Sequence, residues 1–282
     1  MNRKMLDQFK LGKYVDILSA MEREAFTFRL QNRDLKIASN SKLGGEPLLP
    51  EGFSWPHSNT RELDFLLQID LSEIAQLNSS SLLPKSGVLS FFYDIENQPW
   101  GFDPTQLDGF KVEYFAESSL RSRKSPQGTL KIPEFGLSFM QIMTMPDPSN
   151  WTITNLQNKG LWTEADRENY FDFLDVYNSQ IHLRKCPNHW LLGHSTNVQG
   201  DMQLEAQLVS NGCYCGDATG YNDPRRKTLE SGAEDWQLLL QLDSDESAEL
   251  MWGDCGLLYF WIRNDDLANC RFSQTWMSLQ CC

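Results

Sequence analysis

Four histidines and seven cysteines are the side chains of this sequence best suited to metal or nucleophilic chemistry. His182, Cys186, His189 and His194 lie close together, with Cys213 and Cys215 further on. Soft and borderline ligands in that number suit zinc. The spacing departs from the common patterns, because Cys213-x-Cys215 is not Cys-x2-Cys. On a strand both thiols would share one face, as two small core residues do. Cys186 and His189 have the composition of a thiol nucleophile and its base, but catalysis needs the imidazole within hydrogen-bond reach and a third group to orient it. Cys186-Pro187 reads more simply as a turn, and the sequence assigns no metal and no cofactor.

The acidic residues Asp243, Asp245, Glu246, Glu249 and Asp254 occupy a stretch without a Lys or Arg. Hard cations favour such oxygen clusters. The calcium-loop signature nevertheless fails, since the glycine of its sixth position is missing and Asp254 holds the twelfth in place of Glu. A solvated turn in which Ser244 or Asp245 caps a short helix accounts for the same residues. A further candidate is Gly216-Asp217-Ala218-Thr219-Gly220-Tyr221, followed by Asp223-Pro224-Arg225. Asp217, Thr219 and Arg225 offer varied polar chemistry on a loop, and loops carry much of binding. The structural alternative is a turn tied by Asp217 to Thr219 or to Arg225. Phosphate-binding glycine loops, H-E-x-x-H and G-x-S-x-G are all missing. A hydrolase or other enzyme that uses the acidic cluster, with or without a divalent cation, remains open as the alternative function, because two well-placed carboxylates suffice for hydrolysis.

The elements that would position these residues follow from the apolar pattern. Leu11, Tyr14, Leu18, Met21 and Ala25 step by three and four, which predicts a helix. Phe26 to Leu30 alternates as a strand does. Phe65–Ile69, Val88–Tyr93 and Leu137–Met143 predict further strands, as does Trp276–Gln280. A helix near 163–181 is predicted by the capping pair Thr163 and Asp166 and by Tyr170, Phe173, Leu174, Tyr177 and Ile181.

One pattern occurs twice. Leu66-Leu67-Gln68-Ile69-Asp70 leads to Gly87-Val88-Leu89-Ser90-Phe91-Phe92. Leu239-Leu240-Gln241-Leu242-Asp243 leads likewise to Gly256-Leu257-Leu258-Tyr259-Phe260-Trp261. A Leu-Gly element, Leu43-Gly44-Gly45 or Leu192-Gly193-His194, precedes each. Buried polar side chains are costly unless hydrogen-bonded, so a Gln and an Asp at equal offsets inside two apolar runs point to a duplicated β-rich unit. The expected fold class is α+β, mainly antiparallel sheet with a few packed helices. Its halves fall at about 25–145 and 180–282, within a single domain spanning 1–282. Gln68, Asp70, Gln241 and Asp243 are expected near the floor of a cleft between the halves, with Trp252, Asp254 and the 216–221 loop at its rim.

The chain resembles the YwqG-like family, a bacterial family with a domain of unknown function, along nearly its whole length. The residues that carry the likeness are Ser41–Pro50, Leu67-Gln68-Ile69-Asp70, His189–His194, Gly216–Tyr221, Leu240–Glu246 and Met251–Gly256. The resemblance implies a mixed α/β structure rich in antiparallel sheet, and it transfers neither an activity nor catalytic residues.

Composition narrows the setting. A net charge of −13 disfavours nucleic acid as a partner, because phosphates reward clustered Lys and Arg. The short basic runs Arg121–Lys124 and Arg225–Lys227 read as solvated loops. No segment predicts a membrane span, and the start lacks the pattern of a secretory signal. The odd number of cysteines fits reduced thiols, so a cytoplasmic setting is expected. Cys281-Cys282 follows an ordered strand, which argues against a prenylated tail. The expected function is a binding module for an unknown ligand, whether a small molecule, a peptide or a partner protein.

Overall fold

Continuous apolar runs make the buried strands of this protein, and its helices draw on the three-to-four spacing. The computed structural model describes residues 3–32, 40–77, 82–116, 119–180 and 187–281. Helices α1 (Arg3–Gln8) and α2 (Val15–Met21) lead into the long strand β1 (Arg23–Asn32). The short strands β2 (Lys42–Leu43) and β3 (Leu48–Leu49) precede β4 (Asp64–Asp70). Helical turn α3 (Leu71–Ala75), β5 (Val88–Tyr93) and β6 (Phe110–Phe115) follow. After β7 (Arg121–Ser122) come the long β8 (Phe135–Thr144), α4 (Trp151–Asn158) and α5 (Glu164–Gln180). The chain continues through β9 (Trp190–Leu192), α6 (Met202–Val209), β10 (Trp236–Asp243), β11 (Leu257–Arg263) and β12 (Trp276–Gln280).

Ten of these strands form one sheet, in the order β12-β11-β10-β9-β1-β8-β2-β4-β5-β6. Every pairing in it is antiparallel. The fold class is therefore α+β dominated by antiparallel sheet. The order reads alike from either edge toward the central β1/β8 pair, and so does the register. Trp190 faces Gln241, which faces Tyr259, which faces Ser278. Lys42 faces Gln68, which faces Ser90, which faces Glu113. A register shift falls at Leu66 in β4 and at Leu239 in β10, again at equal offsets. The matching residue for Leu43 is Leu191 rather than Leu192, because these two pair with Leu67 and Leu240.

The sheet curls until its edges approach. Phe110 of β6 meets Trp276 of β12 edge-on at 5.7 Å, and Phe91 meets Phe260 at 5.2 Å inside the curl. Between the edges, Leu279 N–H donates to Trp100 O at 2.9 Å and Trp276 Nε1–H donates to Gly101 O at 2.8 Å. Gly101 has φ of +83°, and a Cβ there would stand 1.9 Å from Met277 O. Gly101→Ala combines a left-handed backbone with a collision against β12. Chemical denaturation should show it to be destabilised by about 2 kcal/mol or more.

A second, smaller core belongs to the helices. Leu6, Leu11, Leu18, Trp162, Tyr170 and Phe173 pack together away from the sheet core. Thr163 and Asp166 start α5 as a capping box, with Thr163 N–H donating to Asp166 at 3.0 Å and Asp166 N–H to Thr163 Oγ1 at 3.2 Å. The helix expected from Leu11 onward is present as a 3-10 turn, Gly12–Tyr14, running into α2, but it ends at Met21, and Ala25 already lies in β1. Lys10, with φ of +58°, separates it from α1.

Candidate functional site

The two glutamines singled out by sequence make the same connections in the two halves. Gln68 Oε1 accepts from Leu48 N–H at 2.8 Å, and its Nε2 donates to Asn40 O at 2.7 Å. Gln241 Oε1 accepts from Thr196 N–H at 2.9 Å, and its Nε2 donates to Asn188 O at 3.0 Å. Each staples the two ends of a turn with two successive left-handed residues, Gly44-Gly45 or Leu192-Gly193. Both side chains are fully buried, and four strands lie between β4 and β10 in the sheet. The expected shared floor is therefore not formed. Each amide is spent on its own backbone turn, as buried polar groups require.

The remaining candidates scatter as well. Asp70 caps α3, accepting from Ser72 N–H at 3.0 Å and from Asn40 Nδ2 at 3.0 Å. Asp243 accepts from Asn188 N–H at 2.8 Å, and burial pushes its carboxyl above the ordinary range. Trp252 belongs to the core rather than to a rim. It is fully buried, donates from Nε1 to Asp243 O at 3.2 Å and sits edge-on to Tyr93. Asp254 is exposed. Asp217 caps the helical turn Ala218–Tyr221 by accepting from Thr219 N–H at 2.7 Å. Arg225 pairs with Asp223 at 2.8 Å, so the tie imagined between Asp217 and Arg225 is made one turn further on.

Among the described residues no group of three or more His, Cys, Asp and Glu could hold a metal ion. His182 and Cys186 lie outside the described residues. His189 Nδ1 accepts from Asp243 N–H at 3.0 Å, which leaves Nε2 to donate to Asp245 at 3.3 Å. That hydrogen bond from His189, with two from Ser247, holds Asp245 down to about 2. His194 donates from Nε2 to Met21 O at 2.8 Å, and burial next to Arg23 pushes it down to about 3. Both imidazoles serve the structure, and Asp245 caps a turn of 3-10 helix, the bland alternative for the acidic run.

Functional groups do converge at a place the sequence analysis only touched. A cavity of about 510 Å³ opens between α6 and the β12 edge. Trp100 and Phe102 from the β5–β6 connection, Tyr221 and Gly216 from the loop after α6, and Gln280 from β12 line it. Two carboxylates, Asp201 and Glu205, face into it from the start of α6. Asp201 caps α6, accepting from Gln203, Leu204 and Trp151 N–H groups at 3.1, 3.2 and 3.1 Å. Burial nonetheless pushes Asp201 up to about 6 against those donors.

Glu205 is less constrained. Ser278 Oγ donates to one oxygen at 3.1 Å and the Tyr221 hydroxyl to the other at 3.2 Å. Burial, reinforced by the nearby Asp201 charge, pushes Glu205 up to about 7. Among the described residues the lining contains no Lys, Arg or His. The result is a carboxyl group that takes or releases a proton near neutrality, in an aromatic cavity with no cationic side chain. Such groups cluster at functional sites. Cys215 in the same wall is pushed up to about 12 by burial and by Glu205, so it remains a thiol.

The protein is thus a curled antiparallel sheet flanked by helices, with an acidic aromatic cavity at its edge. The chain belongs to the DUF1963 family, a domain of unknown function, which matches residues 41–281. No curated protein matches it. The match spans every strand of the sheet except β1, and every residue named in the cavity. Among the described residues no helix is long and apolar enough to cross a membrane.

Proposed function

We propose that the chain is a binding module whose ligand presents a cationic group, an ammonium or guanidinium, to Glu205 in the α6–β12 cavity. The observation that carries this reading is Glu205 itself, a carboxyl held near its neutral form with hydroxyl partners and no cationic side chain in the lining. A ligand cation would supply the missing countercharge, and the faces of Trp100 and Tyr221 would favour it further. The net charge of −13 draws cations toward the protein in general. An anionic ligand would meet two carboxylates and no compensating group. We also place the chain with YwqG-like proteins and read the matched registers of its sheet as an internal duplication. The shared staples of Gln68 and Gln241, the shifts at Leu66 and Leu239 and the double left-handed turns support that reading.

A hydrolase is the weaker reading. Two carboxylates with raised affinity for protons favour it, but Asp201 is tied to three backbone donors as a helix cap, which leaves Glu205 alone for proton transfer.

Calorimetry with argininamide, a cation without a carboxylate, tests the proposal. Glu205 ionises above its raised value of about 7, so affinity should increase from pH 6 to pH 8, by about tenfold. Binding near pH 6.5 should release protons, and salt should weaken it. Absence of binding at both pH values, or affinity independent of pH, would contradict the proposal. So would equal binding of a neutral sugar such as maltotriose.

A further inference from the structure

We infer that a second cavity, on the other half of the sheet, is a binding site for a small zwitterion of the amino-acid kind. It measures about 480 Å³, and Asn40, Lys42, Glu46, Ser122 and Glu134 line it. That volume lies in the range of small-molecule sites, roughly 300–1,000 Å³. Lys42 is 5% exposed, a rare burial for lysine. Its Nζ donates to Glu134 Oε2 at 2.8 Å and to the Glu46 carbonyl. Ser122 Oγ donates to Glu46 Oε2 at 2.8 Å.

The chain carries its own control for this site. Lys42 and Trp190 hold the same place in the two halves, each facing its stapling glutamine. Trp190 Nε1 donates to His194 O at 3.2 Å, just as Lys42 Nζ donates to Glu46 O. A Cβ at Gly45 would meet the Glu134 carboxylate, and one at Gly193 would meet Ala25 Cβ, so Ala25 stands where Glu134 stands. The same double left-handed turn is thus built once around an indole, a methyl group and the Thr144 hydroxyl, and once around an ion pair of a buried lysine with a half-buried glutamate. Trp190 and Ala25 are fully buried. Well-packed apolar groups commonly replace a buried ion pair at no cost in stability, so the turn does not require Lys42 and Glu134. Their presence beside an open cavity points to a ligand.

The arrangement of charge selects the ligand. The Lys42 ammonium, paired with the Glu134 carboxylate, shares the cavity wall with a second carboxylate, Glu46, and with a hydroxyl and an amide. A plain anion would be drawn to Lys42 but repelled by Glu46 and Glu134, and a plain cation, though attracted by the carboxylates, would give Lys42 no new partner. A zwitterion satisfies both, its carboxylate toward Lys42 and its ammonium toward the glutamates.

The test is thermal melting of the full chain with the free L-amino acids and simple dipeptides at millimolar levels. At least one zwitterion should raise the melting temperature. Its N-acetylated and amidated forms, each lacking one charge, should bind at least about tenfold more weakly. The double variant Lys42→Trp/Glu134→Ala, which copies the other half, should fold and lose the response. Glu46→Gln leaves the Lys42–Glu134 pair in place and should also weaken binding by about tenfold or more, which keeps the test open if the double variant does not fold. No shift with any zwitterion, equal binding of the blocked derivatives, or unchanged binding by Glu46→Gln would overturn the inference. Failure here leaves the Glu205 cavity untouched, since argininamide has no carboxylate and the two sites share no residue.

Discussion

Glu205→Gln is expected to stabilise the protein at pH 8 and to leave it unchanged near pH 4.5. The folded state holds the Glu205 proton up to about pH 7, whereas the ordinary value is 4.5. Below 4.5 the group is protonated in both states and costs nothing. As pH rises from 4.5 to 7 the unfolded chain releases its proton first, so folding stability falls; above 7 the cost is fully present. At 1.36 kcal/mol per pH unit the cost reaches about 3 kcal/mol. Glutamine keeps the shape, and the hydroxyls of Ser278 and Tyr221 can rotate to donate to its oxygen or accept from its amide. Removing the cost should raise the melting temperature at pH 8 by roughly 6–10 °C. An equal gain at pH 4.5 would trace the effect to packing, and no gain at pH 8 would mean that the carboxyl is not held in its neutral form. A site that weakens its own fold at working pH is the usual signature of a group kept for binding.

Gln68→Leu and Gln241→Leu should each cost about 2–5 kcal/mol in urea denaturation. Either change removes both hydrogen bonds of a staple and leaves a part-buried N–H and a part-buried C=O without their partner, at roughly 1–3 kcal/mol each. Four strands separate the two sites, so the double variant should show the sum. A loss well under 1 kcal/mol from either change would show that water takes over the orphaned groups and that the staples matter little. Argininamide binding should survive both substitutions wherever the variants remain folded, because neither glutamine lines the cavity.

Much of this fold is visible in the sequence because its central strands are buried on both faces. Phe65–Ile69 and Val88–Tyr93 are apolar runs interrupted only by Gln68 and Ser90, and such runs announce strands without further context. The capping residues Thr163 and Asp166 place the start of α5. Strand β6 is harder to see, since Phe110-Lys111-Val112-Glu113-Tyr114-Phe115 is an edge strand with only partial burial. Strand β9 is three residues long and exists only through pairing with β1 and β10. Helix α6 escapes because nearly all of Met202–Val209 is buried, so no polar face marks a period.

The candidate site was legible in one part only. The loop Gly216–Tyr221 stands out in the sequence for its glycines and polar residues, and it contributes Gly216 and Tyr221 to the cavity wall. Glu205 belongs to no motif, although it is the single charge inside Met-Gln-Leu-Glu-Ala-Gln-Leu-Val, directly after a helix-capping Asp201. An isolated acid in a run that is otherwise apolar or amide-bearing is the signal that would have found it, since ionised groups are costly to bury there. The paired Gln and Asp drew attention for a sound reason, because buried polar groups in strands must be satisfied. Their partners turned out to be backbone turns, which spacing alone does not reveal.

Carbon-13 NMR of the Glu205 side-chain carboxyl, titrated from pH 4 to pH 9, follows the decisive proton itself. In the free protein the midpoint should fall at about 7, and saturating argininamide should lower it by about a unit or more as the cation draws the group into its ionised form. A free midpoint at the ordinary 4.5, or one that argininamide leaves in place, would contradict the assignment of this cavity to a cationic ligand.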